Sequence, residues 1–76
     1  MSAPAAAPVA STIVVNGVAR PLARDASVAD LVRELALEGK RIAVELNGEI
    51  VPRSRYAETR LAAGDRLEVV GAVGGG

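Results

Sequence analysis

Ser27-Val28-Ala29-Asp30-Leu31-Val32-Arg33-Glu34-Leu35 is the stretch that decides the fold. Val28, Leu31, Val32 and Leu35 fall at i, i+3, i+4 and i+7, one apolar stripe at the helical period, while Arg33 and Glu34 face away. Ser27 is a favourable N-cap, and Asp30 three residues on gives a weak capping-box arrangement that also suits the positive end of the helix. The spacing predicts a helix of about a dozen residues, closed by Gly39 in a left-handed C-cap, with Lys40 and Arg41 near its negative end. Leu37 points opposite the stripe, and the pattern admits two placements for it: a tightened last turn or a minor exposed apolar spot.

Working outward, the residues on both sides read as strands. Upstream, Thr12 to Val15 are β-branched and run into Asn16-Gly17, a two-residue turn whose positions both tolerate positive φ. Val18 to Ala23 returns as a second strand, and Pro21 places it at a sheet edge. Downstream, Ile42, Val44 and Leu46 alternate with Arg41, Ala43 and Glu45 as in a half-buried strand. Asn47-Gly48 turns the chain into a short partner, Glu49 to Val51, stopped by Pro52. Arg53 to Thr59 reads as a loop with a helical turn. Ala63-Gly64-Asp65 turns again, and Leu67 and Val69 alternate with Arg66 and Glu68 in a last strand.

A helix between strands is long enough to cross one sheet face. The order predicts that the last strand lies beside the first, parallel and central, with the stripe meeting Ile13, Val15, Val44, Leu46, Leu67 and Val69. That is an α+β, ubiquitin-like β-grasp roll: a mixed sheet of four to five strands with one main helix on one face. Met1 to Ser11, rich in Ala with Pro4 and Pro8, reads as a disordered arm. The expected division is therefore an arm at 1–11, a β-grasp body at 12–70 and a flexible Gly-rich tail at 71–76. Tyr56, the sole aromatic, is expected as a cap over the core edge.

Composition removes most functions. The 76 residues hold no Cys and no His, which excludes disulfides, the usual zinc and iron–sulfur sites, and any thiol or imidazole nucleophile. Nine basic residues balance nine acidic ones, which argues against a nucleic-acid binder that depends on counterion release. No apolar run approaches the roughly 20 residues that cross a bilayer, and no basic-then-apolar leader opens the chain. A soluble, cytoplasmic protein without catalytic residues or a metal site is expected. Ser27, Ser54 and Thr59 have no histidine to activate them, and the near carboxylate pairs Asp25 with Asp30 and Glu45 with Glu49 flank turns or caps.

Gly74-Gly75-Gly76 follows the last strand, leaving a carboxylate on a stem without side chains. Glycine lets such a stem thread a narrow channel. A carboxylate becomes an electrophile only when another enzyme converts its oxygen to a leaving group, as in adenylation. Val14, Val70 and Ala72 fall out of phase with the core residues, so the sheet face away from the helix is the expected docking surface for any partner.

Val15-Asn16-Gly17, Ser27 to Val32, Val44-Glu45-Leu46-Asn47-Gly48-Glu49-Ile50-Val51-Pro52-Arg53, Gly64 to Val70 and the triple-glycine end together resemble the small sulfur-carrier proteins of thiamine biosynthesis, the ThiS family. The resemblance covers Thr12 to Gly76; the Ala/Pro arm before it is a departure. It implies that a ThiF-like adenylyltransferase, using ATP and Mg²⁺, activates the Gly76 carboxylate. Sulfur from a persulfide donor then makes a thiocarboxylate, and a ThiG-like thiazole synthase takes that sulfur. On this reading the protein is a co-substrate, binds no cofactor itself, and is a monomer when free. Gly74 and Gly75 are then the threading segment, and Val14, Val70, Ala72 and Val73 the partner-binding residues. Alternatives in view are sulfur delivery to molybdopterin or another pathway, a ubiquitin-like covalent modifier, and a non-covalent β-grasp module.

Overall fold

Two Asn-Gly turns organise the sheet. In the computed structural model, which describes residues 11–71, Asn16 and Gly17 have φ of 52° and 83°, and Asn47 and Gly48 have 51° and 88°. Positive φ at both central residues is the turn geometry whose twist matches that of paired strands. The first turn joins β1 (Thr12–Val15) to β2 (Val18–Pro21), antiparallel, with Thr12 opposite Pro21 and Val15 opposite Val18. The Leu22 N–H donates to the Ser11 carbonyl at 3.0 Å, which carries the pairing one step further. The second turn joins β3 (Ile42–Leu46) to β4 (Glu49–Val51), with Leu46 opposite Glu49. β5 (Arg66–Gly71) runs parallel to β1 and antiparallel to β3, giving the order β2-β1-β5-β3-β4. The last strand is central and beside the first, as the sequence predicts.

The helix α1 (Val28–Glu34) begins where expected. The Asp30 N–H donates to Ser27 Oγ at 3.2 Å and the Ser27 N–H donates to Asp30 Oδ2 at 2.9 Å, so both arms of the capping box are made. Its start is also tied to the end of the 3-10 helix Arg53–Glu58: Val28 N–H donates to the Thr59 carbonyl, and Leu61 N–H to the Ala26 carbonyl, both at 2.9 Å.

Its end is not where the glycine suggests. The C-cap is Leu35, and Ala36 takes the left-handed conformation with φ of 61°. Ala36 N–H donates to the Arg33 carbonyl and Leu37 N–H to the Val32 carbonyl, each at 3.0 Å, the paired bonds of a Schellman ending. The early stop has a packing reason. In a longer helix Leu37 would point away from the sheet; reversing the chain at Ala36 sets Leu37, half-buried, against the core. This settles its placement as part of the helix ending. Gly39, with φ of 77°, instead serves the next turn, closed by Lys40 N–H to the Leu37 carbonyl at 3.0 Å.

The core lies between α1 and one face of the sheet. Val28, Val44 and Leu67 are its most enclosed side chains, with Ile13, Val15, Leu31, Val32 and Val69 around them. Leu35 and Leu46 pack at its margin, half-buried. Val51, Leu61 and Tyr56 close one end of the core, the tyrosine capping it there while itself buried. With each aliphatic group contributing about 1.5–3 kcal/mol when fully buried, this small set leaves a thin margin of stability.

Replacing Ala36 by glycine removes the Cβ penalty of the left-handed region and is expected to raise stability by about 0.5–1 kcal/mol, read as a higher denaturant midpoint with unchanged m-value. A separate test concerns Asp30, whose carboxyl is held below its ordinary value of 3.8 by the hydrogen bonds from the Ser27 backbone and side chain, with Arg33 adding to them. Folding favours the ionised form, so this contribution is present above pH 3.8 and is lost as pH falls through and below it. Titration of the unfolding midpoint in acid should show a shallower decline in Asp30→Ala than in the parent protein.

Candidate functional site

β5 carries the chain toward residues 72–76, so the site is built around that strand. Its backbone is held on one edge by β3, with pairs running from Leu46 opposite Leu67 to Ile42 opposite Gly71. The β1 edge is shorter, because β1 ends at Val15. Asn16 replaces the missing strand. Its Oδ1 accepts from the Val69 N–H at 2.7 Å, and its Nδ2 donates to the Val69 carbonyl at 3.1 Å. One side-chain amide thus satisfies the donor and the acceptor of a residue two positions before the last described one. Asn47 does related work at the start of the strand: its Oδ1 accepts from the Arg66 N–H at 2.9 Å and its Nδ2 donates to Asp65 Oδ1 at 3.0 Å. Both asparagines can do this because the left-handed turn positions they occupy suit Asn.

The sheet face away from α1 is uncovered among the described residues. Val14 and Val70 lie on it, as predicted, Val14 half-buried and Val70 57% exposed. They do not form one patch with each other. Val14 is opposite Arg66, four residues before Val70, or about 13 Å along the strand. Val70 instead has Ala43 as its direct neighbour on β3, and Ile50 of β4, 63% exposed, stands opposite Glu45. Period-two alternation places Ala43, Glu45 and Ile50 on this face; the strand register that sets them beside Val70 and Glu68 is not legible from local pattern. Ala72, Val73, Gly74, Gly75 and Gly76 lie outside the described residues.

Other chemistry is sparse. Among the described residues no group of three or more carboxylates could hold a metal ion, and no helix is long and apolar enough to cross a membrane. A cavity of about 280 Å³ opens on the helix side, lined by Val32, Leu37, Ile42 and Tyr56 together with Arg33 and Arg53.

The ThiS family model matches residues 13–76, from the second residue of β1 to the last glycine. The chain belongs to the ThiS family, the sulfur carriers of thiamine biosynthesis. This is a family of carrier proteins rather than enzymes. A sulfur carrier protein ThiS of Bacillus subtilis is 42% identical over 50 residues, 66% of this chain and 76% of that protein. A thiazole synthase of Paramagnetospirillum magneticum is 42% identical over 64 residues, which is 84% of this chain but 20% of that protein. Among solved structures, the thiamine biosynthesis protein ThiS of Geobacter metallireducens superposes with a TM-score of 0.73 at 31% identity, covering 86% of this chain and 99% of that one. The shared ThiS architecture is the five-strand mixed sheet with one main helix, the β-grasp roll.

Asn16→Gly keeps the turn, since glycine tolerates positive φ, and deletes only the amide that holds Val69. The expected cost is about 1–2 kcal/mol for two hydrogen bonds, with faster hydrogen exchange at the Val69 amide than elsewhere in β5. Unchanged protection of Val69 would show that the clamp does not hold the strand.

Proposed function

We propose that this chain carries sulfur as a thiocarboxylate on Gly76. A ThiF-like adenylyltransferase joins the Gly76 carboxylate to AMP, releasing pyrophosphate; ATP and Mg²⁺ belong to that enzyme's reaction. The terminal sulfur of a persulfide donor then adds to the acyl carbon and AMP leaves. A second thiol of the donor system cleaves the remaining sulfur–sulfur bond, and a ThiG-like thiazole synthase takes the sulfur. The observation that carries this reading is the reach of the family match through Gly76 in a chain that contains no cysteine. Without a thiol, sulfur has no side chain to ride on.

Gly74 and Gly75 are the threading segment in this scheme, because residues without Cβ pass through a narrow channel. Val14, Val70, Ala72 and Val73 bear on the partner; the uncovered face that holds Val14 and Val70 supports this. Thiazole synthase as the recipient is supported by the relative of that name, in which a segment like this chain makes up 20% of one polypeptide. The scheme assigns 1–11 to an arm, 12–70 to the β-grasp body and 71–76 to the tail, in a cytoplasmic carrier that is monomeric when free.

Denaturing mass measurement after incubation with adenylyltransferase, ATP, Mg²⁺ and a persulfide donor tests the scheme. The expected gain is one sulfur in exchange for one oxygen, confined to the peptide that ends at Gly76 and lost when Gly75 and Gly76 are deleted. Ladders of other proteins bearing this chain would instead mark a covalent modifier.

A further inference from the structure

We propose that Asn47 is a site of spontaneous deamidation whose conversion to aspartate or isoaspartate loosens the start of β5, while the fold protects Asn16 from the same reaction. The two asparagines are locally alike. Each is followed by glycine, which places no side chain in the way of attack by its backbone nitrogen on the preceding amide. The backbones match as well, with φ of 52° and 83° at Asn16 and Gly17 and of 51° and 88° at Asn47 and Gly48. A Cβ on either glycine would meet nothing within 4 Å, so both turns stand in open space. What differs is the hold on the side-chain amide. Asn16 gives both ends of its amide to Val69, at 2.7 and 3.1 Å, a buried residue beyond the reach of β1. Asn47 bonds to the Arg66 N–H at 2.9 Å and to Asp65 Oδ1 at 3.0 Å, and both bonds are exposed. Freeing Asn16 strands a part-buried N–H and C=O, whereas freeing Asn47 exchanges two exposed bonds for bonds to water.

The reaction needs only water. The Gly48 nitrogen gives up its proton and bonds to the side-chain carbonyl carbon of Asn47, and the side-chain nitrogen leaves with its hydrogens and that proton as ammonia. Water then opens the five-membered succinimide at one of its two carbonyls. One opening yields aspartate; the other yields isoaspartate, in which the main chain runs through the side-chain carbons. Both products remove the donor that faced Asp65 and put a second carboxylate in its place. Asp65 cannot swing clear, because its Oδ2 accepts from the Ala62 N–H at 2.7 Å in the turn that leads into β5. Isoaspartate also lengthens the backbone by one methylene inside a tight turn, where Leu46 must stand opposite both Glu49 and Leu67. The link it strains is the Asn47 N–H to the Arg66 carbonyl, 2.8 Å, which closes that end of the β3–β5 pairing.

The test ages the full chain in warm, mildly alkaline buffer and follows each asparagine by peptide mass mapping, which reads the exchange of one NH for one oxygen. In the folded protein Asn47 should convert faster than Asn16 by about tenfold or more, and in denaturant the two rates should converge. Equal rates in the folded protein, faster conversion of Asn16, or no conversion at either site while both react in denaturant would overturn the assignment. The consequence is read separately on Asn47→Asp, which should unfold at a lower temperature than the parent and exchange its Asn47-position and Arg66 amide hydrogens faster. Adding Asp65→Asn should restore most of that loss, because an amide there donates to the new carboxylate while its oxygen still accepts from Ala62. Parent-like unfolding and exchange in Asn47→Asp, or no recovery in the double variant, would overturn the loosening of β5.

Discussion

The pairing of β5 on both of its edges is the constraint from which the rest of the molecule follows. A strand flanked by β1 in parallel and β3 in antiparallel sense must be central, and a central strand needs one face covered. The connection from β2 to β3 supplies the cover, since α1 spans that face and encloses Val28 against Val44 and Leu67. Where β1 runs out, the Asn16 amide continues the hydrogen bonding to Val69. The result is a small body whose best-held strand is the one that points toward its glycine end.

Much of this was legible because its signals are local and steric. Asn-Gly pairs specify hairpins through φ, and a serine with an aspartate three residues later specifies a helix start through two hydrogen bonds. The helix end was not legible. Gly39 carried the usual signal, yet Ala36 adopts the left-handed angle at a conformational cost offset by the packing of Leu37, and that balance is tertiary. The candidate face shows the same division. Alternation assigned Val14 and Val70 to it correctly, but the parallel register that sets Val14 opposite Arg66 depends on how the strands meet in space. For the same reason the apposition of Glu45 with Glu68 cannot be read from two segments more than twenty residues apart.

Composition narrowed the chemistry in a way that structure alone would not. A β-grasp roll serves many purposes, so the fold by itself says little about activity. The lack of cysteine and histidine, the family match running to Gly76, and a relative in which a similar segment forms part of a thiazole synthase together support the proposal that sulfur is held at the terminal carboxyl.

The two outer strands carry a further consequence. β2 ends at Pro21 and β4 is followed at once by Pro52, so each rim of the sheet meets a residue that lacks a backbone N–H to donate. Such rims are poor templates for another copy of the chain to zip onto. A protein with so thin a core, transiently opening in the crowded cell, is thereby guarded against growing into ribbons of stacked sheets.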